Sequence, residues 1–281
     1  MPEGPETARS TDKLRQSLNV GGKWMYLVNA FRYGDRFSNV DICFLRNALD
    51  KPIVDIFCKG KEYFICLANN ITIHAHHGME GHWRIENDQD PSLVVDNTHF
   101  RFDFKMVLPN NYKSNPYSTT SEFQPDLVLY FVNVRLGSLE IMTSKKELDD
   151  AVNRLAPSFI GNNKISMQEW LMRISTINKG NLIRVALMDQ KQICCGIGNY
   201  LLIELLYFCR LNPETSFGQL SQNKLEEMYH IFDAVINGHY KKTLVKVIYQ
   251  KKKCPNGHDL TKSKVGGRTF YHCPVEQTFI L

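Results

Sequence analysis

The chain has 281 residues, enough for two compact domains, and its 43% hydrophobic and 22% charged residues exclude a disordered chain. No run of about 18 apolar residues is available to span a bilayer. The net charge of +5 is uneven: residues 241–281 carry nine Lys and Arg against only Asp259 and Glu276, so a basic C-terminal module follows a slightly acidic body. Such a module suits a polyanion, nucleic acid first, although a solvated lysine face has the same composition.

After MPEGPE, residues 7–18 are polar with a thin apolar stripe and predict a helix ending before Gly21-Gly22. From Trp24 to about Thr143, short segments rich in β-branched and aromatic residues (PIVDIFC, EYFICLA, ITIHAHH, HFRFDFKMV, DLVLYFVNV) alternate with turn signals such as Asn69-Asn70. They predict an antiparallel β-sandwich, with Pro109–Gln124 as a long flexible loop. From Lys145 the period becomes helical. Leu182, Val185, Ala186 and Asp189 share one face, Gly196–Asn199 breaks it, and Leu201, Leu202, Leu205, Leu206 and Cys209 resume it, which predicts two helices meeting at a tight glycine turn. A third helix uses Leu225, Met228, Tyr229, Phe232 and Val235, with Ser221 near its start and Gly238 just past its end.

The block from Lys251 is basic, turn-rich and too small for an apolar core of its own, so a metal staple is expected. The reading is α+β and multidomain, with a β-sandwich domain at 1–148, a helical domain at 149–250 and a finger at 251–281. Of the eight cysteines, most lie in apolar runs and read as core residues. MPEGPETARS lacks the apolar centre of a secretory signal, so a reducing intracellular compartment is expected.

Chemistry is most explicit at the N-terminus. Removal of Met1 makes Pro2 a terminal secondary amine, a nucleophile whose adduct at a sugar C1′ collapses to a cationic iminium without added protons. Glu3 beside it can serve as general acid to the ring oxygen or the departing group. The competing reading is local: Pro5, Glu3 and Glu6 also make a good helix start.

Six segments, in order, resemble the Fpg/Nei (formamidopyrimidine-DNA glycosylase and endonuclease VIII) family over nearly the whole length. They are MPEGPE, KGKEYF (59–64), HHGMEGHW (76–83), NVRLG (133–137), GIGNYLLIELLY (196–207) and GGRTFYHCPVEQ (266–277). The resemblance implies a bifunctional glycosylase and abasic-site lyase of base excision repair, excising oxidised bases, pyrimidines favoured, and nicking by β/δ-elimination. It implies a helix-two-turn-helix in the helical domain. Pro2 would be the nucleophile, Glu3 the general acid, Glu6 a supporting carboxylate and Lys61 a phosphate or lesion contact.

Glycine-flanked Asn199 and Arg268 suit phosphate binding, against the alternatives of a helix cap and a surface arginine. Met79, in a turn, suits the gap left by an extruded base, with a core methionine as the alternative. Arg135 and Leu136 resemble the second wedge segment, but Asn133 replaces the family's aspartate and Leu136 its aromatic.

The finger departs from the two Cys-x-x-Cys pairs common in the family. Cys254, His258 and Cys273 read as three zinc ligands of the kind found in an endonuclease VIII-like branch, with Glu276, His272 or water as the fourth, and a zincless finger as the alternative. Expected partners are damaged DNA, duplex or single-stranded, and no membrane; the expected state is a monomer located intracellularly at DNA, in nucleus, nucleoid or viral compartment. A non-catalytic damage-recognition protein of the same fold is the alternative function.

Overall fold

The computed structural model describes residues 2–46, 48–86, 96–106, 125–161, 164–265 and 267–278. The expected loop at Pro109–Gln124 lies outside the described residues. The chain divides into two units: Met1–Pro2 with Thr7–Val152, and Glu3–Glu6 with Asn153–Leu281.

The first unit holds α1 (Gly4–Leu18) from Thr7 onward, and the helix starts three residues earlier than the apolar stripe predicts. Pro5 explains the extension, because the first turn of a helix has no use for its missing N–H. A small hairpin, β1 (Asn19–Val20) with β2 (Lys23–Trp24), turns through Gly21-Gly22. Eight antiparallel strands then make one sheet: β3 (Tyr26–Arg32), β4 (Lys51–Lys59), β5 (Glu62–Leu67), β6 (Thr72–His76), β7 (His82–Glu86), β8 (Thr98–Lys105), β9 (Leu127–Val132) and β10 (Ser138–Met142). Their order is β10-β6-β5-β4-β3-β8-β9-β7, and a single turn of helix, α2 (Cys43–Arg46), lies between β3 and β4 in the chain. β3 and β4 pair at only two positions, Tyr26 with Pro52 and Leu27 with Lys51, so the sheet consists of two four-stranded halves.

Alternation along the strands builds a core shared by those halves. Tyr63, Ile65, Ile73 and Ala75 from one meet Phe100, Phe102, Phe104, Leu129 and Phe131 from the other. Each fully buried aromatic or leucine contributes roughly 2–3 kcal/mol. On the reverse face of β5 and β10, Phe64, Cys66 and Met142 pack on Ala151 of α3 (Lys145–Asn153). The expected sandwich is the observed architecture.

The second unit packs α4 (Met167–Ser175), α5 (Ile183–Ala186), α6 (Asn199–Phe208) and α7 (Gln222–Tyr240) around Trp170, Leu202, Phe232 and their neighbours. Ser221 caps α7 through the Lys224 N–H, as its position predicts. Two expectations need correction. Gly238 lies inside α7, not beyond it; a Cβ there would come 3.0 Å from Leu244 Cβ, so close packing, rather than a helix stop, accounts for the glycine. And α5 and α6 do not meet at a tight turn. Residues 187–198 separate them, organised by the Gln190 amide, which donates to the Met188 and Ile197 carbonyls while its oxygen accepts the Gly196 N–H.

The hairpin β11 (Thr261–Val265) and β12 (Arg268–His272) ends the unit, and Phe270 and Cys273 belong to the same buried cluster as the helices. Among the described residues no helix is long and apolar enough to cross a membrane.

Candidate functional site

In the first unit, Lys61 sits in the two-residue turn that joins β4 to β5, between the paired Lys59 and Glu62. Gly60 makes that turn possible by adopting φ 62°. His76, at the end of β6, lies within electrostatic reach of Lys61 and hydrogen-bonds the Leu136 backbone; burial, chiefly, pushes its imidazole below the usual histidine range.

Two loops converge beyond β6. Residues 77–81 carry half-buried Met79, and residues 133–137 carry Arg135 and Leu136, the latter 73% exposed. They are bound together at the backbone, Met79 N–H donating to the Arg135 carbonyl at 3.0 Å. Asn133 is fully buried between them: its Nδ2 donates to the His77 carbonyl at 2.7 Å and its Oδ1 accepts the Gly137 N–H at 3.2 Å. An aspartate at this position has no hydrogen to offer His77, so the asparagine makes a junction that the carboxylate cannot. Gly78, at φ 59°, and Gly137 leave no room for a Cβ, which would overlap the 135–136 backbone in one case and the Asn133 amide in the other. Across the tip, Glu80 Oε1 lies 2.7 Å from Arg135 Nη2, in an exposed pair of small energetic weight.

In the second unit the N-terminal carboxylates meet the start of α6. Glu3 is 1% exposed, and its carboxylate accepts three backbone N–H groups, from Gly198 at 2.8 Å, Tyr200 at 3.1 Å and Leu201 at 3.1 Å. These are the unsatisfied donors of the helix start, where the aligned peptide dipoles also favour negative charge. Gly4 N–H donates to the Gly196 carbonyl at 2.8 Å, and a Cβ on Gly4 would press on the Gly196 backbone at 3.1 Å. Glu6 Oε2 accepts the Glu3 N–H at 3.0 Å, and the Tyr200 hydroxyl donates to Glu6.

Asn199, the first residue of α6, donates from Nδ2 to the Thr269 carbonyl at 3.0 Å, beside exposed Arg268 at the hairpin tip. The structure therefore brings Glu3, Glu6, Asn199 and Arg268 to one helix terminus. Sequence reading missed Tyr200, and it missed Glu204, a fully buried carboxylate on α6 that accepts three consecutive N–H groups from Val247, Ile248 and Tyr249. A signal for Glu204 was present: it is the only charged residue in the apolar run YLLIELLY.

Cys254 Sγ, His258 Nδ1 and Cys273 Sγ lie within 4.8 Å of one another. With zinc bonds of about 2.3 Å to sulfur and 2.05 Å to nitrogen, a tetrahedron has an S···N edge of about 3.6 Å. The observed edges to His258 Nδ1 are 3.4 Å from Cys254 and 3.8 Å from Cys273, so the donor set fits the ion. Burial raises the Cys254 thiol, but hydrogen bonds from the His258 and Asn256 backbone and from the Cys273 and Tyr207 side chains together leave it below its ordinary range. Glu276 stands outside this trio, its Oε1 3.5 Å from His258 Nδ1 and accepting from Asn256 Nδ2 at 2.7 Å. His272 also stands outside it, with Nδ1 buried and lacking a hydrogen-bond partner among the described residues.

A β-sandwich unit carrying paired loops, and a helical unit whose helix start receives an N-terminal carboxylate beside a Cys-His-Cys hairpin, define the class. Residues 1–118 match the Formamidopyrimidine-DNA glycosylase N-terminal domain. Endonuclease 8 of Enterobacter sp. (strain 638) is 23% identical, the alignment covering 99% of this chain and 100% of that protein. Formamidopyrimidine-DNA glycosylase of Allorhizobium ampelinum is 26% identical over 76% of this chain and 69% of its own. Lactococcus lactis Fpg non-covalently bound to DNA containing an AP site superposes with a TM-score of 0.79 at 20% identity, covering 98% of this chain and 99% of that one. A complex of the same enzyme with DNA containing an oxidized pyrimidine gives the same score and coverage. Residues 1–118 thus match the N-terminal domain of the formamidopyrimidine-DNA glycosylases, and along nearly its whole length the chain is similar to Endonuclease 8 and formamidopyrimidine-DNA glycosylase proteins and shares their fold.

Proposed function

We propose that the protein is a DNA glycosylase of base excision repair that also cleaves abasic sites, in the endonuclease VIII-like branch of its family, with oxidised pyrimidines as favoured bases. The observation that carries this reading is the buried Glu3 carboxylate, held by three N–H groups at the start of α6 and directly following Pro2. Relatives named Endonuclease 8 and formamidopyrimidine-DNA glycosylase support it.

In the reaction proposed, the Pro2 nitrogen lone pair forms a bond to C1′ as the glycosidic pair leaves with the base, which solvent protonates. Glu3 enters as carboxylate, takes the proton that the attacking amine gives up, and returns it as general acid to O4′ while the C1′–O4′ bond opens. The nitrogen pair then makes the C1′=N iminium. Loss of a C2′ proton to a base expels the 3′ phosphate by β-elimination, and a further elimination releases the 5′ phosphate. Lys61, Asn199 and Arg268 would hold backbone phosphates, and Met79, with Arg135 and Leu136, would fill the stack from which the nucleotide leaves. Cys254, His258 and Cys273 would hold zinc, with the Glu276 carboxylate swinging from Asn256 to complete four ligands; the ion's contribution is structural.

Borohydride capture on abasic DNA tests the reading. Protein whose intact mass shows loss of Met1 should be covalently trapped, and a Pro2→Gly variant should be trapped far more slowly. Damage-specific binding with no captured complex would select the non-catalytic alternative.

A further inference from the structure

Glu6 does not lie loose beside the N-terminus. The Tyr200 hydroxyl oxygen is 2.7 Å from both of its carboxylate oxygens, and Glu6 Oε2 in turn accepts the Glu3 N–H at 3.0 Å. A phenol equidistant from two oxygens fixes the plane of the carboxylate, and the carboxylate fixes the amide of the peptide that follows Pro2.

Tyr200 is itself held. His239 packs edge-on to its ring at 5.9 Å and 81°, and Tyr249 packs at 5.9 Å. The Lys246 ammonium stands 3.9 Å from the ring centroid and 5.2 Å from that of Tyr249. A cation over a phenol face draws electron density from the ring and makes the O–H a stronger donor. Lys246 is kept there by the next three residues, since the N–H groups of Val247, Ile248 and Tyr249 are all captured by Glu204 at 2.7–3.0 Å. Tyr200 and Glu204 are four residues apart and so share one face of α6. A single helix face thus anchors the segment that carries Lys246 and, one turn away, holds the residue that Lys246 polarises.

We propose that Tyr200 is a positioning residue for the N-terminal nucleophile, acting through Glu6 and the Glu3 N–H, with Lys246 and Glu204 as its support. The inference rests on the amine chemistry proposed above and deepens it.

Tyr200→Phe keeps the ring and the cation over it and removes only the hydroxyl. Under single-turnover conditions with saturating protein, its borohydride capture on abasic DNA should slow by about ten- to a hundredfold, the range that one charge-assisted hydrogen bond covers. The dissociation constant for the same DNA should stay at the parental value, and the variant should remain folded at the assay temperature, its melting temperature lowered only by the few degrees that one lost hydrogen bond costs. In a Glu6→Ala background Tyr200→Phe should cost nothing more, because the acceptor through which it acts is gone. Lys246→Met should reproduce part of the loss in the parent and none of it in Tyr200→Phe. Parental capture by Tyr200→Phe, or a loss matched by an equal loss in DNA binding, would overturn the proposal. Failure of the parent itself to be captured would instead sink the amine chemistry, and this inference with it.

Discussion

Acid should loosen the first unit through His77. Its imidazole is buried against Tyr63 at 4.4 Å, Trp83 at 5.5 Å and Phe131 at 5.6 Å, and Nε2 has no hydrogen-bond partner among the described residues. Burial above all, then the neighbouring His82 and His76, pushes its pKa from 6.5 down to about 3. Above pH 6.5 neither folded nor unfolded chain protonates this ring, and its contribution to stability is complete. As pH falls from 6.5 towards 3 the unfolded chain takes a proton that the folded chain refuses, so stability is lost at about 1.4 kcal/mol per pH unit. At pH 5 the loss is about 2 kcal/mol, which for a unit of this size lowers the melting temperature by about 4–8 °C.

The comparison is calorimetric melting of the parent and His77→Phe at pH 7.5 and pH 5.0. Phenylalanine fits the aromatic box and carries no titrating group, whereas His76, His82 and His99 remain in both proteins and cancel. The parent should lose about 2 kcal/mol more than the variant between the two pH values. Equal losses in both proteins would refute the reasoning.

Lys61→Ala and Arg268→Ala should each weaken DNA binding and lower the slope of log affinity against log salt by up to about one unit; unchanged slopes would remove both from the phosphate contacts. Met79→Ala should slow single-turnover excision from duplex DNA while zinc content and melting stay parental, and equal rates would exclude it from the stack. Metal analysis should return about one zinc per chain, Cys254→Ser should lose it, and Glu276→Gln should weaken zinc retention in a chelator competition; parental retention by Glu276→Gln would exclude that carboxylate as the fourth ligand. Glu204→Leu, which strands three N–H donors on the 247–249 segment, should destabilise the second unit by about 3 kcal/mol or more, read by denaturant unfolding.

The sandwich was legible because its strands are short runs of β-branched and aromatic residues bounded by turn signals; in DLVLYFV every residue from Leu127 to Val132 is buried, Leu127, Leu129 and Phe131 in the shared core and Val128, Tyr130 and Val132 in a separate cluster. Ser221 and the Cys254, His258, Cys273 trio were legible because a cap and a metal site are both short-range in chain or distinctive in chemistry. The span of α5 was not, since Leu182 and Asp189 keep helical spacing while the backbone around them is closed by the Gln190 side chain. Tyr200 was hidden for a different reason, since it reads as part of an apolar helix and its partner, Glu6, is far away in sequence. Glu204 stood out as a lone charge in that helix, but its partners, residues 247–249, are equally remote in sequence and left its role unreadable.

The junction of the 77–81 and 133–137 loops separates frame from tip. Gly78, Gly137 and the Asn133 amide occupy space so tightly that substitution there must disturb both loops together, whereas Arg135 and Leu136 are exposed and Met79 is half-buried. Variation should therefore be cheap at the tips and costly at the frame. If the proposed wedge role holds, libraries at residues 79 and 135 would vary the contacts with DNA at little cost to the frame, whereas Leu136, at φ 58°, would not accept β-branched residues without strain, which makes this pair of loops an exchangeable head on a fixed mount.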